Sequence, residues 1–218
     1  MSALLQKTLK VFLFIAFTLG IISLAAKFTL NFKPLYYFDI NYLNIEETNN
    51  MSKEDIKSNY SYLIEYIEND ENIEFKLPTL PSSETGVIHF KEVKDIFQTL
   101  DKIIISSLVV IFLGLLVNLK NISVLKHVST FLISIPVILS IGFAISFNYS
   151  FTLFHKIFFR NDYWVFSPDE DPIINLLPQE FFMHSAILIL FLILFTGIVL
   201  KFVFRKPKDI SSRYISLN

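Results

Sequence analysis

The chain of 218 residues contains no cysteine, only five glycines and only four histidines. Without cysteine it has no thiol nucleophile, no disulfide and no cysteine-based metal site, so a domain outside the cytoplasm would be held by packing alone. No glycine-rich loop that could cradle a phosphate occurs, and no soluble basic surface of the kind that binds nucleic acid is evident. Nucleotide binding and nucleic-acid binding are therefore not expected.

Charged residues are absent from four long stretches, which are 11–26, 103–119, 127–155 and 181–200. A membrane-spanning helix needs about 20 mostly apolar residues, a length that each stretch reaches together with its neutral flanks. Hydrophobic residues make up 53% of the chain, and 24 residues are phenylalanine, which is more apolar surface than a soluble domain of this size can bury. The sequence predicts an α-helical integral membrane protein with four transmembrane helices.

The first apolar stretch also has features of a secretory signal peptide, because Lys7 and Lys10 precede it. The sequence Ser23-Leu24-Ala25-Ala26 faintly resembles a cleavage site, but there is no clear pair of small residues at the −3 and −1 positions. Removal would also leave an odd number of spans. We therefore expect the first helix to be retained as an anchor.

Acidic residues are nearly absent from three segments, which are 1–10, 119–127 and 201–218. These segments hold nine basic residues and a single acidic residue, Asp209, whereas the rest of the chain holds ten basic and nineteen acidic residues. Loops rich in Lys and Arg stay in the cytoplasm. The sequence therefore predicts a multi-pass protein of the cell membrane with both termini in the cytoplasm, and with 27–102 and 148–180 outside.

The periodicity of the segment between the first two spans changes twice. Apolar and aromatic residues alternate from Phe28 to Ile45, with a break at Pro34, and again over 73–77, which predicts strands. Between Ser52 and Asn69 the apolar residues have helical spacing, and Ser52 is a suitable N-cap. The sequence thus predicts a small α+β extracytoplasmic domain between helices 1 and 2.

The predicted organisation has six parts: 1–27, cytoplasmic N-terminus and transmembrane helix 1; 28–85, extracytoplasmic α+β domain; 86–119, interfacial helix running into transmembrane helix 2; 120–147, cytoplasmic turn and transmembrane helix 3; 148–182, extracytoplasmic aromatic loop; 183–218, transmembrane helix 4 and basic cytoplasmic tail. Seven aromatic residues, counting His155, fall within 154–166. These residues can form an aromatic belt at the membrane–water interface. Alternatively, the segment is a loop that re-enters the membrane or lies along its interface. The acidic run 169–171 lacks the ligand spacing of a calcium site and is predicted as a solvated turn.

His89 and His155 are the strongest candidates for chemistry. The topology places both at the same outer boundary, His89 before the second span and His155 after the third. Glu92 follows His89 by three residues on the predicted helix and is close enough to accept its N–H. Imidazole exchanges protons near neutral pH. Each histidine can alternatively be a structural side chain at the membrane interface whose hydrogen bonds are made by neighbouring groups. No metal-binding motif is present, so no metal is expected.

Two parts of the chain resemble sequence signatures of a known family. The segment 88–94 resembles a short signature, which consists of His, any two residues, an acidic residue and Val-Lys. The segments 154–159, 164–166 and 177–182 together resemble a longer signature. The family consists of four-span bacterial membrane proteins and includes the lipoprotein intramolecular transacylase, which makes lyso-form lipoproteins in some Gram-positive bacteria. The resemblance covers essentially the whole chain. Glu92 stands where an aspartate is common, which lengthens its reach towards His89 by one methylene.

The resemblance implies an acyltransferase that needs no cofactor. It would move the sn-2 acyl chain of a diacylglyceryl-cysteine lipoprotein to the α-amine of that cysteine, at the outer leaflet. His89 and His155 would serve as acid and base in an order that stays open, as does a covalent acyl-imidazole route. The candidates for supporting or orienting the reacting groups are Glu92, Lys91, Arg160 and Trp164.

The expected partners are a diacylated lipoprotein and membrane lipid, without nucleic acid, and the oligomeric state is open. Two other kinds of function remain as alternatives. One is a non-enzymatic membrane sensor or assembly factor, and the other is a lipid-directed hydrolase or a metal-dependent membrane enzyme.

Overall fold

The computed structural model describes residues 2–71, 73–117 and 123–204, and these residues contain nine helices and no strand. The helices are α1 Ala3–Asn31, α2 Lys33–Tyr42, α3 Ile45–Asn49, α4 Lys53–Glu68, α5 Glu84–Val117, α6 Val124–Ile145, α7 Phe147–Phe158, α8 Ile173–Leu176 and α9 Gln179–Val203. Several charged residues behind the predicted orientation lie outside the described residues, namely Lys120, Arg205, Lys206, Lys208, Asp209 and Arg213.

Four of these helices, α1, α5, α6 and α9, are long and apolar enough to cross a membrane. Helix α1 packs against α5 and α9, and α6 packs against α9. Large apolar side chains such as Phe112 and Leu116 remain exposed on the spans, as expected for surfaces that face lipid. The prediction of four transmembrane helices is confirmed.

The predicted strands between Phe28 and Ile45 are wrong. Helix α1 continues to Asn31, and α2 starts immediately afterwards with Pro34 in its first turn, where the missing N–H costs no hydrogen bond. A run with an apolar residue at every second position also contains the i, i+4 pairs of a helix. Tyr36 and Ile40 form such a pair, and both are buried. Period two alone therefore did not distinguish a strand from a helix here.

The second predicted strand, 73–77, is also wrong, because this segment forms neither a strand nor a helix. The alternation nevertheless marks its buried side correctly, because Phe75 and Leu77 are buried. The predicted helix between Ser52 and Asn69 is confirmed as α4, whose first turn is capped by Ser52 Oγ accepting from the backbone N–H of Asp55 at 3.1 Å. The small domain is thus helical rather than α+β.

The helical segment 33–83 and the segment 159–178 after α7 pack together at one end of the spans. Tyr36 of α2 stacks on Tyr60 of α4 with ring centroids 3.8 Å apart, and its hydroxyl donates to the Leu176 carbonyl at 2.8 Å. Lys27 near the end of α1 forms ion pairs of 2.8 Å with both Glu68 and Asp101, which ties α4 to two of the spans. This packing brings distant parts of the chain to the N-terminal end of α5.

Asp169 and Glu170 lie in a turn and are exposed, as predicted for the acidic run, but Asp171 is not solvated. Its side chain is only 2% exposed, and it accepts hydrogen bonds from the backbone N–H of Ser83 at 2.8 Å and from Ser83 Oγ at 2.6 Å. Gly86 lies in the first turn of α5, where a Cβ would come within 2.8 Å of Asp171 Cγ. The contact fixes the segment after α7 to the start of α5.

Candidate active site

His89 and His155 come from two helices and meet at the end of the spans where 33–83 packs. His89 lies in the second turn of α5, and His155 lies in the last turn of α7, which starts directly after α6 with Ser146 as its N-cap. The two imidazole centroids are 6.3 Å apart, with an angle of 34° between the ring planes. No hydrogen bond joins the two rings. The sequence placed both residues at one surface, and the structure brings them together.

The hydrogen bond of His155 defines which ring nitrogen carries its proton. Nδ1 lies 2.8 Å from the backbone carbonyl oxygen of Phe151. A carbonyl oxygen only accepts, so Nδ1 is the donor, and in the neutral ring Nε2 keeps a free lone pair. Burial lowers the pKa of His155 below its usual value, and the bond to Phe151 partly offsets that effect. The neutral ring with an available Nε2 is the form that a general base requires.

His89 is enclosed by aromatic rings and is only 6% exposed. Its imidazole centroid lies 4.7 Å from that of Phe159 and 5.4 Å from that of Phe166. Its Nδ1 is buried without a hydrogen-bond partner among the described residues. A buried polar atom of this kind costs free energy unless another group, such as a substrate, supplies the missing partner.

Glu92 does not form the expected hydrogen bond with His89. Its Oε1 accepts instead from Asn161 Nδ2 at 2.8 Å, and its Oε2 is buried without a partner among the described residues. Asn161 reaches α5 because the segment after α7 folds across it, a contact between residues 69 positions apart. Sequence spacing along one helix gave no indication of this competing donor.

Trp164 contacts His155 through its ring and not through its N–H. The indole and imidazole centroids are 4.7 Å apart with the planes at 29°, and Nε1 donates to the Asn161 carbonyl at 3.1 Å. Because that N–H is already used, Trp164 is a poor donor for a developing oxyanion in this arrangement. Its role in the geometry is to pack against the His155 ring.

Of the two candidate cations, only Arg160 shares a cavity with Glu92. This cavity has a volume of about 280 Å³ and is lined by Glu92, Asp95, Ile96, Phe158, Phe159 and Arg160. Phe159 also contacts both imidazoles, at 4.7 Å from His89 and 5.6 Å from His155, so the cavity adjoins the histidine pair. Lys91 lies instead at a separate depression with Tyr66 and Lys94.

Asn161 and Phe159 are the residues that the sequence analysis missed. Asn161 bonds to Glu92, and its backbone carbonyl accepts from Trp164, while Phe159 lines the cavity and contacts both imidazoles. Both lie in or next to the aromatic segment, but a single asparagine in a polar turn carries no pattern of its own. His184 is not part of the pair, because its Nδ1 bonds to the buried Asp39 at 2.8 Å.

Comparison with known proteins identifies the family. A family model described as lipoprotein intramolecular transacylase Lit matches residues 11–182. The chain belongs to the Lit family. The match spans α1 to the start of α9 and includes both histidines, which confirms the resemblance drawn from the two sequence segments.

Solved structures of Lit from Bacillus cereus have the same fold. One of them, determined in meso and described as membrane integral, is 38% identical, with a TM-score of 0.89 over 94% of this chain and 96% of that chain. A Lit variant with a histidine replaced by arginine is 36% identical and has a TM-score of 0.81, covering 97% of this chain and 95% of that chain. A variant with a histidine replaced by alanine is 38% identical and has a TM-score of 0.80, covering 91% of both chains.

A comparison with curated protein sequences gives no significant match. The Lit family match and the four apolar helices make this chain a multi-pass membrane enzyme of the transferase class. Within the described residues, no group of three or more histidines and carboxylates is arranged to hold a metal ion.

Proposed function

We propose that this enzyme moves the sn-2 acyl chain of a diacylglyceryl-cysteine lipoprotein to the α-amine of the same cysteine, with His89 and His155 transferring the protons. The observation that carries the proposal is the meeting of the two imidazoles, 6.3 Å apart inside a shell of aromatic rings. Membership of the Lit family supports intramolecular acyl transfer on a lipoprotein as the reaction class.

The chemistry needs one base, one acid and a held conformation. The amine nitrogen attacks the ester carbonyl carbon and closes a ring of about eight atoms, so the enzyme gains rate by fixing the reactive conformer. The α-amine has an ordinary pKa of about 7.7–8.0 and must be neutral to attack. His155 suits the base, because its Nε2 lone pair can take the proton that leaves the nitrogen as the N–C bond forms.

His89 then suits the acid. As the bond between the acyl carbon and the sn-2 oxygen breaks, the glycerol oxygen takes a proton from the His89 imidazole. One proton leaves the nitrogen for His155 and one joins the oxygen from His89, and the proton held by His155 then returns to His89, so both imidazoles are neutral again and the products are an amide and a free hydroxyl. The backbone N–H groups at the start of α5 and the Arg160 guanidinium are candidate donors to the intermediate oxyanion.

We further propose that the site lies at the outer leaflet, with both termini in the cytoplasm. The histidine pair, the helices α2 to α4 and the segment 159–178 all lie at one end of the four spans. The excess of basic residues in 1–10, 119–127 and 201–218 favours the cytoplasm for the opposite end. A site at this depth lets the acyl chains of a lipoprotein remain in the bilayer.

The proposal is tested with His89→Ala and His155→Ala, each expressed with a reporter lipoprotein whose N-terminal peptide is analysed by mass spectrometry. Both variants should lose the lyso, N-acyl product at normal protein levels. His127→Ala is the matched control, because His127 is exposed at the start of α6, and it should convert the reporter normally.

Normal conversion in both active-site variants would contradict the assignment. Release of free fatty acid without an N-acyl product would instead indicate a hydrolase. An acyl group found on a histidine of the enzyme would indicate the covalent acyl-imidazole route.

A further inference from the structure

Two buried polar atoms on one side of α5 have no partner among the described residues. They are His89 Nδ1 and Glu92 Oε2, which belong to side chains three residues apart and therefore adjacent on the helix surface. The second oxygen of Glu92 is held by Asn161, so the carboxylate is fixed in place with one acceptor unused. A buried acceptor without a donor is a costly arrangement unless a bound group completes it.

The cavity that Glu92 lines has the charge and position expected for an N–H donor from the substrate. Its charged groups are the carboxylates of Glu92 and Asp95 and the guanidinium of Arg160, which leave a net negative charge. No ion pair within 4 Å joins Arg160 to either carboxylate in the described part of the chain. Phe159 lines this cavity and contacts both imidazoles, so the cavity lies next to the histidine pair.

We propose that Glu92 binds the α-amine of the substrate cysteine through Oε2 and thereby selects lipoproteins whose N-terminus is free. The inference rests on the proposed function, in which that amine is the nucleophile. The amine has hydrogens to donate to Glu92 and still keeps its lone pair for the ester carbonyl. An N-terminus that already carries an acyl group keeps one amide N–H but cannot become positively charged, so it would form only a neutral-donor hydrogen bond to the carboxylate and would bind less tightly.

The same contact assists the reaction as charge develops. When the neutral amine attacks, its nitrogen becomes positively charged in the tetrahedral intermediate, and a carboxylate at hydrogen-bond distance stabilises that charge. The proton then passes to His155, and the amide nitrogen that remains is neutral. Glu92 therefore favours the charged intermediate over the product, which helps the N-acyl lipoprotein to leave.

The test measures binding directly, so it can also be applied to variants that have lost activity. The purified full chain in lipid nanodiscs is titrated with two diacylglyceryl-cysteine peptides whose ester groups are replaced by ethers. One has a free α-amine and the other is N-acetylated, and neither can react. The wild-type protein should bind the free-amine peptide at least about tenfold more tightly, as a charge-assisted hydrogen bond predicts.

Glu92→Gln should lose most of that preference, because glutamine retains an oxygen for Asn161 but lacks the negative charge. Asp95→Asn is the matched control from the same cavity, and its exposed carboxylate should matter little. A Glu92→Gln variant that keeps the wild-type preference overturns the proposal. Equal weakening for both peptides also overturns it, because Glu92 would then act only through the fold.

His155→Ala separates this inference from the proposed function. That variant should remain inactive towards the ester reporter and still prefer the free-amine peptide. If His155→Ala stays active while Glu92→Gln loses the preference, the acid–base assignment fails and the amine site stands. If His155→Ala is inactive and Glu92→Gln keeps the preference, the amine site fails and the acid–base assignment stands.

Discussion

The indole of Trp164 stacks on the imidazole of His155, with the ring centroids 4.7 Å apart, while Phe151 contacts the same imidazole at 4.2 Å. These two aromatic rings and the hydrogen bond to the Phe151 carbonyl fix the orientation of His155. The indole is fixed in turn by its N–H bond to the Asn161 carbonyl. A base that is held in this way loses little freedom when the substrate arrives.

Trp164→Ala should slow the conversion of the reporter by about 10- to 100-fold, because the imidazole loses the ring that holds it. Trp164→Phe should recover most of the rate, since it keeps an aromatic ring and loses only the bond to Asn161. The measurement is the initial rate at saturating lipoprotein, with protein levels matched. An unchanged rate in Trp164→Ala would show that the stacking does not position His155.

The pKa of His155, lowered by burial, predicts the acidic side of the pH–rate profile. The base works only when neutral, so kcat/KM should fall as the pH drops through its pKa, which lies below the usual value of about 6.5. The substrate amine must also be deprotonated, so kcat/KM should in addition fall as the pH drops below the amine pKa of about 7.7–8.0.

The logarithm of kcat/KM should therefore rise with a slope of about one between the two pKa values and about two below that of His155. The measurement is the initial rate of reporter conversion at low substrate, from about pH 4 to pH 9. A single limb at the amine pKa, with a slope of one at all lower pH values, would be inconsistent with His155 as the base.

Gly86→Ala should destabilise the protein, because its methyl group would overlap Asp171, which is held by Ser83. Overpacking of this kind costs about 1–3 kcal/mol, which corresponds to a fall in Tm of several degrees for a chain of this size. Gly142→Ala is the matched control, since the nearest atom to its Cβ would be Ser150 Oγ at 3.9 Å.

Thermal unfolding in detergent gives both Tm values. The control should match or exceed the wild-type Tm, because alanine is the better helix former. An equal decrease in Tm in the two variants would show that overlap with Asp171 is not the cause of the destabilisation.

The proposed orientation can be tested with single cysteines, since the natural chain has none. Glu54→Cys in α4 should react with a membrane-impermeant maleimide in intact cells, because α4 is assigned to the outside. His127→Cys at the start of α6 should react only after the cells are permeabilised. The reverse pattern would place the histidine pair at the cytoplasmic face.

Patterns that act over short distances predicted their elements well. Four charge-free stretches predicted the four spans, because the bilayer excludes charge from any sequence that crosses it. Ser52 predicted the start of α4, since a cap depends only on residues within one turn. Alternation between Phe28 and Ile45 was misread, because the i, i+4 pair of Tyr36 and Ile40 fits a helix as well as a strand.

The sequence by itself determined that this protein is a four-span membrane protein with two histidines near the same end of its spans, because hydropathy and loop charge are properties of the chain alone. Only the tertiary structure decided what those histidines contact. Asn161 reaches Glu92 across 69 residues, Trp164 packs on His155, and Asp171 bonds to Ser83. Such partners are selected by the packing of the segment after α7 against α5, and no local spacing rule encodes that packing.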